Sequence, residues 1–156
     1  AVGLLLAGLF AARLGFVTHT TFNQFPRSPF LDLVTELKTS AFEGTCILHD
    51  NKLSYFPARY YAPDLAQSFL ADEPGGMNDT FAPASQLAMG IFPTESIQMA
   101  TDGCEQVAFI LFDQTLIEVG GLENYPPMRY LQEHFVPVGK ASVGDLSIFT
   151  YQARKP

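Results

Sequence analysis

The chain has 156 residues, 47% of them hydrophobic and 16% charged, and a formal net charge of −7. That length fits one ordinary domain that buries a core without a metal or a disulfide framework. An acidic domain with no Lys/Arg-rich stripe repels phosphate backbones, so nucleic acid is excluded as a partner.

Residues 1–12 read AVGLLLAGLFAA, and the only charge among the first 26 residues is Arg13. A surface helix of a soluble domain carries a polar face, and this run has none. A bilayer span needs about 20 apolar residues. The run therefore reads as the tail of a transmembrane helix, with a buried apolar helix as the alternative. A signal peptide would carry a basic leader, and an interfacial anchor a cationic face. Residues 1–17 are accordingly expected to be the end of a transmembrane or buried helix. Residues 18–27 form a connecting segment, with Phe22 and Phe25 among hydroxyl residues as at a membrane–water interface. Residues 28–156 form an extracytoplasmic α/β domain.

Ser28-Pro29 opens a helix, because serine caps free N–H groups and proline loses nothing at the first position. Phe30, Leu33, Val34 and Leu37 fall on one face of it. Thr45 to His49 is a short apolar run that reads as a strand buried on both faces, ended by Asp50-Asn51. Lys52 to Tyr61 is ambiguous: Asn51 is a helix cap, but Pro57 falls inside the segment. Gln67 to Leu70 reads as a strand, with the end of a helix from Pro63 as the alternative. Residues 72–92 are turn-rich, hold the glycosylation-type triplet Asn78-Asp79-Thr80, and are expected to form a long loop. Pro93 to Ala100 reads as a helix capped by Thr94. Val107 to Phe112 is the clearest buried strand. Asn124 to His134 reads as a helix with Pro126-Pro127 in its first turn. Phe135 to Ala141 and Leu146 to Tyr151 read as a β-hairpin turning at Gly144-Asp145. Helices alternating with buried strands predict an α/β fold with a layered, mostly parallel, Rossmann-like sheet and a C-terminal antiparallel hairpin.

Ligands of open α/β sheets bind beyond the C-terminal strand ends, which are Asp50-Asn51 and Asp113-Gln114. If the two strands are neighbours, Asp50 and Asp113 share a rim and can hold a hydroxylated ligand or a cation, or divide acid and base roles. The competing reading is two polar strand caps. Arg59-Tyr60-Tyr61 is a further ligand-binding candidate, since Arg holds phosphate and tyrosine stacks on sugars. The competing reading is half-buried tyrosines beside a surface arginine. His19, His49 and His134 have no metal-ligand spacing, and no dinucleotide, phosphate-loop or hydrolase motif occurs. No metal, no cofactor and no complete catalytic set is expected. Cys46 and Cys104 allow one disulfide in an oxidising compartment; otherwise they are two buried thiols.

The apolar tail, the Ser28-Pro29 helix, the two buried strands, Arg59-Tyr60-Tyr61, Tyr130-Leu131-Gln132-Glu133-His134-Phe135 and Ile148-Phe149-Thr150-Tyr151 together resemble a known pattern. It is the C-terminal soluble domain of multi-spanning membrane glycosyltransferases of the GT-C type. These include relatives of protein mannosyltransferases and lipid A aminoarabinose transferases. The resemblance covers nearly the whole chain and implies a Rossmann-like domain above a membrane-embedded active site. It implies a parent enzyme that uses a polyprenyl-phosphate sugar, with the catalytic acid in early loops outside these residues. No catalytic residue is therefore assigned. The expected partners are the membrane, the rest of the parent polypeptide and a glycan or lipid-linked sugar. The expected role is non-catalytic positioning of donor or acceptor on the non-cytoplasmic side. The rivals are a free-standing α/β ligand-binding module and a small soluble enzyme using Asp50 and Asp113.

Overall fold

A computed structural model describes residues 2–21, 29–40, 44–72 and 81–154. Helix α1, Val2–Thr21, comes first. Its described side chains from Leu6 to Val17 are exposed. A Cβ added at Gly3, Gly8 or Gly15 would meet nothing within 4 Å beyond its chain neighbours and the helix's own backbone. Among the described residues no helix is long and apolar enough to cross a membrane.

The remainder is an α/β fold on a five-stranded sheet ordered β2-β1-β3-β5-β4. Strands β1 (Thr45–His49), β2 (Gln67–Phe69) and β3 (Gln106–Phe112) are parallel. Strands β4 (Phe135–Val143) and β5 (Leu146–Ala153) form the hairpin, and β5 pairs antiparallel with β3. The pairings thus divide two parallel to two antiparallel, and the sheet is mixed rather than mostly parallel. The physical reason is the small parallel part: among the described residues only three strands are parallel, so the expected hairpin, turning at Gly144 (φ 63°) with β5 beside β3, supplies half of the pairings.

Side chains alternate across β1 and β3, as they must in strands covered on both faces. Leu48, Val107, Phe109 and Leu111 join one core with Ile97, Met128 and Leu131. Ile47, Ala108 and Ile110 join the other with Leu33, Val34, Leu37, Ala58 and Ala62. Helices α2 (Phe30–Ser40) and α3 (Lys52–Tyr61) cover this second face. Helices α5 (Ile97–Thr101) and α7 (Pro126–His134) cover the first. The Leu33, Val34, Leu37 stripe is buried, as its spacing predicts, whereas Ser28 lies outside the described residues.

The ambiguous segment is helix α3. Asn51 caps it, with its side-chain oxygen accepting from Leu53 N at 2.9 Å. Pro57 is tolerated near the middle of the helix, at the sixth of its ten residues. The expected long loop contains helix α4, Pro83–Met89, closed by Gly90 in the left-handed region (φ 63°); the triplet at Asn78 lies outside the described residues. The helix expected from Pro93 begins at Ile97 and is capped by Ser96, whose hydroxyl accepts from Met99 N at 3.2 Å. Thr94 is instead engaged with β2: its N–H donates to Phe69 O at 2.8 Å, and its carbonyl accepts from Ala71 N at 2.9 Å. Helix α6, Asp113–Val119, follows β3 directly and was not expected.

Cys46 and Cys104 form a disulfide with Cα atoms 5.8 Å apart. It ties β1 to the segment between α5 and β3 on the first face. At the far edge, the β4 pairing with β5 slips between Pro137 and Gly139. Lys140 lies across the sheet with its ammonium 4.9 Å from the Phe149 ring centre.

Candidate functional site

The chain leaves β1 toward β2 on one side and later returns to β3 on the other side of β1. Such a switch leaves a crevice at the C-terminal strand ends, where open α/β sheets bind ligands. A cleft of about 490 Å³ lies there. Its lining includes Asp50 and Asn51 after β1, Asp72 after β2, Thr115 and Glu118 on α6, and Tyr125 before α7.

Asp50 is the organising residue. It is only 6% exposed. The Tyr125 hydroxyl donates to its Oδ1. Its Oδ2 accepts from Asn51 Nδ2 at 3.2 Å and from Thr115 Oγ1 at 3.4 Å. Burial pushes the carboxyl up to about 6, opposed by these three hydrogen bonds and reinforced by the nearby Asp72 charge. A carboxyl with this value exchanges its proton near neutral pH, as an acid–base group or pH-sensitive ligand contact must. Asp72 is held by an ion pair with Lys52, whose side chain is 7% exposed.

The neighbouring His49 points to the opposite face. Its Nδ1 lies 3.0 Å from Ser54 Oγ and its Nε2 2.9 Å from Gln67 Oε1. Burial lowers its pKa to about 4, against the raising effect of the Gln67 hydrogen bond. It is a satisfied, neutral core histidine and takes no part in the cleft.

The sequence candidates separate into three places. Asp50 and Asn51 line the cleft. Asp113 sits beside it, at the end of the neighbouring parallel strand, but its Oδ1 accepts from Ser147 Oγ at 2.5 Å. Gln114 is exposed and donates to Glu118 Oε1 at 3.1 Å. Arg59, Tyr60 and Tyr61 lie at the opposite end of the sheet, because α3 runs back from the end of β1 toward the start of β2. There Arg59 faces a shallower groove with Thr45 and Gln67, and Tyr60 is 79% exposed. The Tyr60 and Tyr61 rings meet edge to face at 5.3 Å.

Sequence reasoning missed Asp72, Thr115, Glu118 and Tyr125. Asp72 was accessible to the strand-end rule once Gln67 to Leu70 was read as a strand. Thr115 and Glu118 required the unforeseen α6. Tyr125 carried no local signal beyond preceding two prolines. Among the described residues no group of His, Cys, Asp and Glu is arranged to hold a metal ion.

No known protein family, curated protein or solved structure matches the chain.

Proposed function

We propose that this chain is the extracytoplasmic, non-catalytic domain of a membrane glycosyltransferase that uses a lipid-phosphate-linked sugar. Its role is to help position the donor or the acceptor. The observation that carries the reading is α1: an apolar helix whose described side chains from Leu6 to Val17 face solvent rather than the core. Exposed apolar surface of that extent requires a bilayer or a partner to cover it. The Cys46–Cys104 disulfide supports an oxidising, non-cytoplasmic location. The parallel strands β2, β1 and β3, with helices on both faces, support the Rossmann-like reading of that half of the sheet. The glycosyltransferase identity itself rests on the sequence resemblance.

The soluble-enzyme reading loses support, since Asp113 is engaged by Ser147 while Asp50 is engaged by Tyr125, Thr115 and Asn51. The isolated chain is expected to transfer no sugar from a polyprenyl-phosphate donor, and to associate with liposomes through the exposed apolar side chains of α1. Sugar transfer by the chain alone, or no association with liposomes, would overturn the proposal.

A further inference from the structure

The cleft at Asp50 has a charge pattern that selects among ligands. Asp50, Asp72, Glu95 and Glu118 contribute carboxyls to its lining, and among the described residues no lysine or arginine does. The nearest buried cation, Lys52, is paired with Asp72. Phosphate or pyrophosphate would enter against like charge in a partly desolvated site, without the Arg or Lys groups that recognise phosphate. The other polar groups are hydroxyls and amides: Ser96, Thr115, Tyr125, Asn51 and Gln98. Pro126, Pro127 and the Tyr130 ring add apolar surfaces. Carboxylates and amides that hydrogen-bond hydroxyls, beside apolar and aromatic faces, suit a sugar ring. The volume lies within the range of small-molecule sites. The Asp50 hydrogen bonds also fix Tyr125 and Thr115 in place before any ligand arrives, which reduces the ordering cost of binding.

The cleft also has a definite place relative to the chain's entry into the domain. Helix α2 is the first element after α1 in the described chain. It begins beside the β4–β5 turn: an added Cβ at Gly144 would lie 2.5 Å from Pro29 Cδ. That turn sits at the C-terminal end of β3, because Leu146 pairs with Phe112. The chain therefore enters the domain at the same end of the sheet as the cleft, while Tyr60 and Tyr61 are at the other end.

We propose that the Asp50 cleft is a subsite for an uncharged or amine-bearing sugar unit, closed to the phosphate portion of a lipid-linked donor and opening on the membrane-proximal end of the domain. The membrane-proximal placement rests on the anchoring reading above; the ligand chemistry does not. In the glycosyltransferase setting the subsite holds the glycan part of a substrate, leaving the phosphate to other parts of the enzyme.

The test is an amide-resolved NMR titration of the full chain in lipid nanodiscs with methyl mannoside, glucosamine and glucose 1-phosphate. Methyl mannoside or glucosamine is expected to give saturable shifts at Asn51, Thr115, Glu118 and Tyr125, with glucose 1-phosphate weaker by about tenfold or more. Glu95→Gln combined with Glu118→Gln should bring the phosphorylated sugar closer to the others, while Tyr60→Ala should change nothing. No saturable shift with any probe, equal or tighter binding of glucose 1-phosphate to the unaltered chain, or unchanged discrimination in the double variant would each overturn the ligand assignment. A paramagnetic lipid should broaden Gly144 and Asp50 more than Tyr60 and Tyr61. The reverse pattern would overturn the orientation alone, and failure of the chain to enter the nanodisc would overturn the anchoring reading instead.

Discussion

Consecutive residues at the end of β1, His49 and Asp50, face opposite sides of the same sheet and meet opposite fates. On the His49 side, α2 and α3 close over the strands, with Ala58 and Ala62 fully buried at the contact. The histidine has a partner for each ring nitrogen and stays neutral. On the Asp50 side, the covering elements α5 and α7 leave the strand ends open, and the carboxyl sits at the floor of a cleft. Burial disfavours charge in both cases, lowering the histidine and raising the aspartate. The difference is that one side spends its polar groups on internal closure, while the other keeps hydroxyls, amides and carboxyls directed at a void. A perturbed titratable group points to a candidate site when a cavity adjoins it.

The largest test of that comparison concerns how the open side is held. The disulfide closes a loop with a sequence separation of 58. Replacing both cysteines by alanine should lower stability by about 4 kcal/mol on the chain-entropy model. Denaturant unfolding measures it, and hydrogen exchange should show α5 losing protection before α2.

The next test is pH. The Asp50 carboxyl is raised from 3.8 to about 6, so the folded state holds a proton that the unfolded state has lost. Its contribution is fully present below pH 4 and is lost as pH rises through 6. The His49 ring is lowered from 6.5 to about 4, so its contribution is present above pH 6.5 and is lost as pH falls through 4. Each is worth on the order of 3 kcal/mol, with opposite sign over nearly the same window. The unaltered chain should therefore show a nearly flat stability between pH 4 and 6.5. Asp50→Asn should expose a rise with pH, and His49→Gln a fall. Parallel profiles for the two variants would break the comparison.

Smaller effects follow. Tyr125→Phe removes a hydrogen bond that holds the Asp50 carboxyl down, so carbon-detected titration should find that pKa higher still. The stability loss should be about 1 kcal/mol. Smallest of all, Tyr60→Ala should change stability by less than about 0.5 kcal/mol, since its ring is exposed and far from both cores.

The regular elements were legible where the pattern was local. Val107 to Phe112, the Leu33 to Leu37 stripe and the terminal hairpin announce themselves through continuous or periodic apolar residues. Helix α6 was not legible, because Asp113-Gln114 after a strand reads as a stop, and its exposed Ile117 suggests no core-facing helix. The α/β class and the terminal hairpin were legible, but the share of parallel pairing was not, since among the described residues only β1, β2 and β3 are parallel and the hairpin supplies half of the pairings. At the site, the strand-end rule found Asp50 and Asn51 but could not tell that Asp113 turns to Ser147. Partners such as Tyr125 are fixed by tertiary packing 75 positions along the chain and leave no local trace.

The outer strand β4 has a consequence for life at high density. Pro137 has no N–H to offer, the ladder slips at Gly139, and the charged Lys140 follows within the same strand. Proline, bulges and lysines are devices by which sheet edges discourage recruitment of further strands. At the other edge, β2 is only three residues long and Thr94 already occupies its backbone. This sheet gives a colliding twin no continuous row of donors and acceptors to extend.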